Sequence, residues 1–343
     1  MRRRWQYLAL GGGVLLLVGL VFVGVLGQPV DTSGVLLTPT ARVAHDPVNE
    51  QSGVVASRTY PGLFWVHNDS GDTARIFAMD RGGRVVIPEW LEKRDFYVGP
   101  PSADKSKKPY PGITVDLANN IDWEDITLGD GNLYLCDMGN NGNARRDLGI
   151  YVVREPNPLS VHRTRVLGWV PVEYPEQTEF PPRTAWNYDC EACFWFRGHL
   201  YFITKHRPAF RLQVPSVDAN LYRLDQMNYD RVNPLRKIDH HDNLGGWVTA
   251  ADMSPDESCL AVLVEAPVQS VWLFDTPPQG DQFFQQAARR LVFHGAGQAE
   301  GLCFIDNETL MLTNEGRQIF ELKVSDFKPA SEVSRTAKRK APR

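Results

Sequence analysis

The 343 residues hold no G-x-S-x-G nucleophile elbow, no H-E-x-x-H zinc pair and no Walker phosphate loop. The hydrolase, zincin and nucleotide-binding chemistries that rest on those spacings are therefore not expected. Basic charge is not in excess either. The formal net charge is −4, so nothing suggests a nucleic-acid surface. Cysteines are few and odd in number: Cys136, Cys190, Cys193, Cys259 and Cys303. Such a set cannot pair completely and is too sparse for a disulfide scaffold. Its one C-x-x-C spacing, in "DCEACFWF", enters an apolar strand, where residues three apart point to opposite faces. Buried, inert thiols are expected there.

Charge is also missing from Tyr7 to Gly27, a run long enough to cross a bilayer, and Arg2, Arg3 and Arg4 precede it. The pattern predicts a cytoplasmic stub and one transmembrane helix within residues 1–30, with the remainder outside the cytoplasm. The expected location is thus the cell membrane of a single-pass protein. A cleaved signal peptide is the alternative. No cysteine lies near the run, which excludes a lipoprotein anchor. The basic end, residues 328–343, reads as a disordered tail.

Between these ends, 28 glycines and 24 prolines favour a turn-rich, all-β chain. Five segments repeat one order of features. An acid stands among small or apolar residues: Glu50, Glu124, Glu191, Asp252 and Glu300. A leucine-led strand follows: "LFWVHN", "LYLCDM", "LYFITK", "LAVLVE", "LMLTNE". After a polar loop, an apolar–aromatic pair opens a third strand, at Ile76–Phe77, Ile150–Tyr151, Leu221–Tyr222, Val271–Trp272 and Ile319–Phe320. Four short strands per unit form the signature of a β-propeller over residues 31–327. Five blades are favoured and six are the alternative. The fifth unit lacks a fourth strand, while "SGVLLTPTARVAHD" has no unit. That N-terminal strand, about 34–44, is expected to complete the last blade and close the ring.

In a propeller, the first strand of each blade lines a central channel. The five acids should then surround one mouth of it, joined by the loops after the second strands. These loops supply Asp69, Asp137, Lys205, Arg207, Glu265 and Glu315 as candidate ligand-binding residues. Carboxylates around one axis suit Ca²⁺ or another divalent cation, making Glu50, Glu124, Glu191, Asp252 and Glu300 candidate metal ligands. Strand alternation sends Asp122 to the side of Glu124 and Asp189 to the side of Glu191. The stretch "DMGNNGN" looks like part of a calcium loop, but Gly139 falls where a ligand belongs and no glutamate stands at the twelfth position. Trp123, Trp186 and Trp247 precede first strands and could floor a ligand site.

The stretches "LFWVHNDSGDTARIFAMDRGG", "DWEDI…LYLCDMGNN…R…IYVVREP" and "DCEA…LYFITK" resemble a group of bacterial β-propeller proteins without assigned activity. These are distantly similar to esterase-like phytase and gluconolactonase-type propellers. The resemblance spans roughly Glu50 to Phe327. It departs at "NEQSGV", where an uninterrupted glutamate–serine–glycine is usual. It implies a propeller, with acids and asparagines as metal ligands in the metal-dependent relatives. Glu50, Glu124, Glu191 and Glu300 match these in kind.

Two functions follow as expectations. One is a membrane-anchored propeller that binds an envelope protein or a small polar ligand at the channel mouth. The other is a divalent-metal-dependent hydrolase of an ester, lactone or phosphoester. Oxygens converging within metal-bonding reach would favour the second.

Overall fold

The computed structural model describes residues 34–331. The expected membrane segment in 1–30 and the tail from 332 onward lie outside them. Among the described residues, no helix is long and apolar enough to cross a membrane.

The described chain is built from five consecutive antiparallel meanders. The first runs through Gln51–Ala56, Leu63–Asn68 and Arg75–Asp80. Its outer strand is broken. Val85 bridges Met79, and Ile113–Asp116 then pairs with Arg75 and Ile76. The glycine- and proline-rich insertion between them carries a short helix, Glu89–Glu92. The second meander comprises Trp123–Gly129, Asn132–Asp137, Gly149–Arg154 and Arg163–Glu173. The third comprises Ala185–Phe196, His199–Pro208, Ala219–Leu224 and Arg236–His241. The fourth comprises Gly246–Met253, Cys259–Pro267, Ser270–Asp275 and Ala288–His294. The fifth has three strands of its own, Ala299–Asp306, Thr309–Asn314 and Gln318–Lys323.

The N-terminal segment supplies the missing strand. Ala41 pairs with Ile319 and Arg42 with Gln318, antiparallel. Just before that, Val35 and Leu36 run parallel to Phe293 and His294 of the fourth meander. The segment thus spans two meanders instead of lying wholly in the last. At the other end, Lys328 and Pro329 pair with Arg290 and Arg289, so ordered pairing continues beyond residue 327 into the expected tail.

The core follows from strand alternation. Each meander is apolar on both faces, because each is covered on both sides by a neighbour. Five apolar clusters result, one per junction. Trp65 and Ile76 meet Ile126 and Leu135 between the first and second meanders. Cys136 and Ile150 meet Phe202 and Tyr222 between the second and third. Ile203 meets Val262 and Trp272, and Leu263 meets Leu302 and Phe320. Val54 and Phe77 meet Met311 and Ile319, which joins the fifth meander to the first. Radial repetition of this kind is β-propeller architecture.

At the axis, first strands approach closely enough to exchange hydrogen bonds. Ser52 Oγ donates to the Glu124 carbonyl at 2.5 Å, and Thr249 Oγ1 donates to Ala299 O at 2.9 Å. The Asp125 carboxylate accepts from Cys193 N at 2.8 Å and Ala251 N at 3.4 Å. Gly301 shows how tight this is: a β-carbon there would stand 2.6 Å from Ser52 O.

All five cysteines are free and buried. Cys190 and Cys193 share one apolar cluster with Cys136, not opposite faces as regular alternation implies. A bulge between Cys190 and Ala192 shifts the register.

Candidate site at the channel mouth

The same irregularity recurs near one end of every first strand. Asp125 and Trp123 pair with Cys136 and Asp137, leaving Glu124 unpaired in the ladder. Cys190 and Ala192 pair with Thr204 and Ile203, leaving Glu191. Ala299 and Gly301 pair with Asn314 and Thr313, leaving Glu300. Val248 and Ala250 pair with Val264 and Leu263, leaving Thr249. In the first meander, Gln51 and Val54 pair with Asn68 and Val66, so Ser52 and Gly53 share the extra space. A bulge re-aims the residue it carries. Here it turns three glutamates of three meanders toward one mouth.

Three overlapping groups of carboxylates result: Asp69, Asp122 and Glu124; Asp69, Glu300 and Glu315; Glu124, Asp189 and Glu191. Within each group, one oxygen per residue lies within 4.8 Å of the others. The third group is already balanced. Lys205 Nζ stands 2.9 Å from Glu191 Oε1, and Arg207 Nη2 stands 2.9 Å from Asp189 Oδ2, both side chains being buried. The first two groups have no such counter-charge. Asp69, Asp122, Glu124, Glu300 and Glu315 form no ion pair among the described residues.

The electrostatics reflect this imbalance. Burial, with Glu191 and Glu315 nearby, pushes the Glu300 carboxyl up to about 9. Burial, with Glu191 and Asp69 beside it, pushes Asp122 up to about 6, and the same forces raise Glu124 well above the usual carboxylate range. Burial and Glu191 carry Asp189 to about 7 against the pull of Arg207. Burial opposes ionisation of Glu191, but Lys205, with help from Glu124 and Arg207, outweighs it and holds the group low.

Folded Glu300 keeps its proton to about pH 9, whereas an ordinary glutamate releases it near 4.5. The penalty for ionising it therefore accumulates as pH rises from about 4.5 to about 9. With chelator present, the melting temperature of the wild type should fall across that window relative to Glu300→Gln. Parallel curves would remove Glu300 from the cluster.

The asparagine-rich loop after Asp137 acts as scaffold, not as a calcium loop. Asn140 N donates to Asp189 Oδ1 at 2.6 Å, and Tyr188 N donates to Asn143 Oδ1 at 2.8 Å. Arg207 Nη1 donates to Asn141 O and Oδ1, each at 2.8 Å. Asp137 accepts from Arg145 at 2.9 Å and from Asp122 N at 3.1 Å, which fixes the Asp122 backbone. Gly139 is required by proximity. A β-carbon there would stand 2.1 Å from Glu124 Oε1 and 2.5 Å from Asp122 Oδ2. The residue that breaks the calcium-loop pattern in sequence is the one that makes room for the carboxylates.

Two of the expected metal ligands lie elsewhere. Asp252 stands near the opposite end of its strand, paired with Ala261 one step from the hairpin, and accepts from Phe304 N at 2.8 Å. Its acid–leucine spacing imitates that of Glu124, but Thr249 holds the bulge. Glu50 is exposed at the rim, and its carbonyl accepts from Asp69 N at 2.8 Å. Of the loop residues, Asp69 and Glu315 join the carboxylates, and Lys205 and Arg207 balance the third group. Glu265 is half-buried and belongs to none of the three groups. Asp122 and Asp189 are the additions, foreshadowed by alternation from Glu124 and Glu191. Of the tryptophans, Trp247 is at the mouth, with Lys205 Nζ 5.1 Å and the Arg207 guanidinium 5.2 Å from its ring centre. Trp123 is fully buried.

No family profile matches the chain, and no curated protein does. Solved structures similar to it include a gluconolactonase from Xanthomonas campestris, with 15% identity over 88% of this chain and 86% of that one, at a TM-score of 0.36. A streptogramin B lyase shows 9% identity over 80% and 93% at 0.33. Hydrazine synthase of Kuenenia stuttgartiensis shows 9% over 80% and 84% at 0.42. The propeller assignment rests on strand pairing and on the five junctions.

Proposed function

We propose that the chain is a five-bladed propeller, held at the membrane by its N-terminal segment, that binds a divalent cation at the channel mouth. We further propose that it hydrolyses an ester, lactone or phosphoester there. The cyclic set of five apolar junctions supports the blade count. The observation that carries the site is the pair of unbalanced carboxylate groups sharing Asp69.

The donor set fits a hard cation. Oxygens gathered within 4.8 Å of one another suit Ca²⁺, which takes oxygen ligands at about 2.3–2.6 Å. Asp69, Asp122 and Glu124 would hold it, or Asp69 with Glu300 and Glu315. When bound, such an ion supplies Lewis acidity to a carbonyl or phosphoryl oxygen. The chain's own residues do the rest. Lys205, pinned by Glu191, sets a positive charge beside the mouth, where negative charge develops in acyl or phosphoryl transfer. Trp247 provides an apolar wall beside it.

The test is turnover of a lactone, a carboxylic ester and a phosphomonoester, each with calcium and with chelator. One of the three should be hydrolysed only with the cation. Gly139→Ala should abolish that activity, because its methyl occupies the space of the two carboxylates. If calcium binds and none of the substrates turns over, the hydrolase reading fails. Capture of a partner then leads, favoured by Phe210, 69% exposed and packed edge-on against Trp186 at 5.3 Å.

A further inference from the structure

The other end of the channel carries a separate cavity. It has a volume of about 180 Å³ and is bordered by the hairpin ends of four first strands. The first meander contributes Arg58, the second Thr127 and Asp130, the third Trp195, and the fourth Asp252 and Glu257. The bulges and the carboxylates of the mouth lie at the opposite ends of those strands. Asp252, displaced from the mouth, is thus the buried anion of a second axial site.

Its charges are arranged for a small bipolar molecule. Asp252 is only 7% exposed and lines the cavity. One oxygen is committed to Phe304 N. Arg58 is exposed at the rim and lies within electrostatic reach of Asp252. Even so, it forms no ion pair or side-chain hydrogen bond among the described residues. The two charges are thus near but not in contact, and both line the cavity. A buried carboxylate favours a cation that can donate hydrogen bonds to it. A free guanidinium favours a carboxylate, which it can grip with two parallel bonds.

We infer that this cavity binds a free α-amino acid of small side chain. Its ammonium group would face Asp252 and its carboxylate would face Arg58. The volume admits a glycine-, alanine- or serine-sized molecule. Trp195 is a fixed wall, because its ring stacks on Tyr134 at 5.2 Å.

Isothermal titration calorimetry of the full chain, with chelator present so that the mouth plays no part, tests this. Glycine, alanine or serine should bind. Ethylamine and propionate, which each keep one charge, should bind at least about tenfold more weakly, as should Arg58→Gln with the amino acid, the usual scale for one charge-assisted contact. Asp252→Asn should lose binding in the same way. Arg58 is exposed, so its variant stays informative if the Asp252 variant fails to fold. Ethylamine binding as tightly as alanine, an unchanged affinity in Arg58→Gln, or no heat with any of the three amino acids would each overturn the inference.

Discussion

Replacing Arg207 with methionine should lower the unfolding free energy by about 3–5 kcal/mol, the usual result of stranding one member of a buried ion pair. The guanidinium meets Asp189 at 2.9 Å with both side chains almost wholly out of solvent. It also donates twice to Asn141. Methionine keeps much of the packing against Trp247 but leaves a buried carboxylate unpaired. Asp189→Asn in the same background should recover part of the loss, because the neutral amide needs no counter-charge. The loss should be larger at pH 8 than at pH 6, because wild-type Asp189, lifted to about 7 by burial and Glu191 against the pull of Arg207, is ionised and held by that pull chiefly at the higher pH. Urea unfolding at the two pH values measures both effects. A loss below about 1 kcal/mol, the range of surface pairs, would mean that the pair does not organise this part of the ring.

Calcium should stabilise the wild-type chain by about 2.7 kcal/mol at a hundredfold excess over its dissociation constant. The gain should vanish in the double variant Asp69→Asn, Glu124→Gln. Asp69 belongs to both unbalanced groups and Glu124 is the most buried ligand in them, so the pair removes the shared centre. Without the ion, the double variant should melt above the wild type, because it has lost two members of a crowd of like charges. Glu191→Gln should behave differently. It deprives Lys205 of its partner and should destabilise the chain with or without calcium. Differential scanning calorimetry across a calcium series separates the cases. A wild type insensitive to Ca²⁺, Mg²⁺ and Mn²⁺ would remove the cation site.

The meanders were legible in the sequence because each carries the same leucine-led and apolar–aromatic strands. The strand that completes the fifth meander was legible as a strand without a unit. At the site, Glu124, Glu191 and Glu300 could be found because their spacing to the next strand places each in a bulge. Glu50 and Asp252 fit the same pattern, but register decides which residue is extruded. A shift of a few positions sends an acid to the rim or to the far end of the channel. Asp122 and Asp189 were reachable through alternation. The role of Gly139 was not, because it depends on two carboxylates from another strand. The splitting of residues 34–44 between two meanders was hidden too, since two-residue ladders leave no periodic trace.

The pairing that completes the fifth meander has a consequence for how the molecule is made. Thr40 Oγ1 donates to the carbonyl of Ile319, 279 positions away, and Ala41 and Arg42 pair beside it. During synthesis at about 5–20 residues per second, roughly 15 to 55 s separate the two ends of this contact. Four meanders can dock on one another in that interval, but the first and fifth cannot meet. The nascent chain is therefore an open arc, with the apolar face of its first meander uncovered. Closure is the last and least local event in its folding. It is the step at which a second nascent arc could be captured in place of the chain's own end.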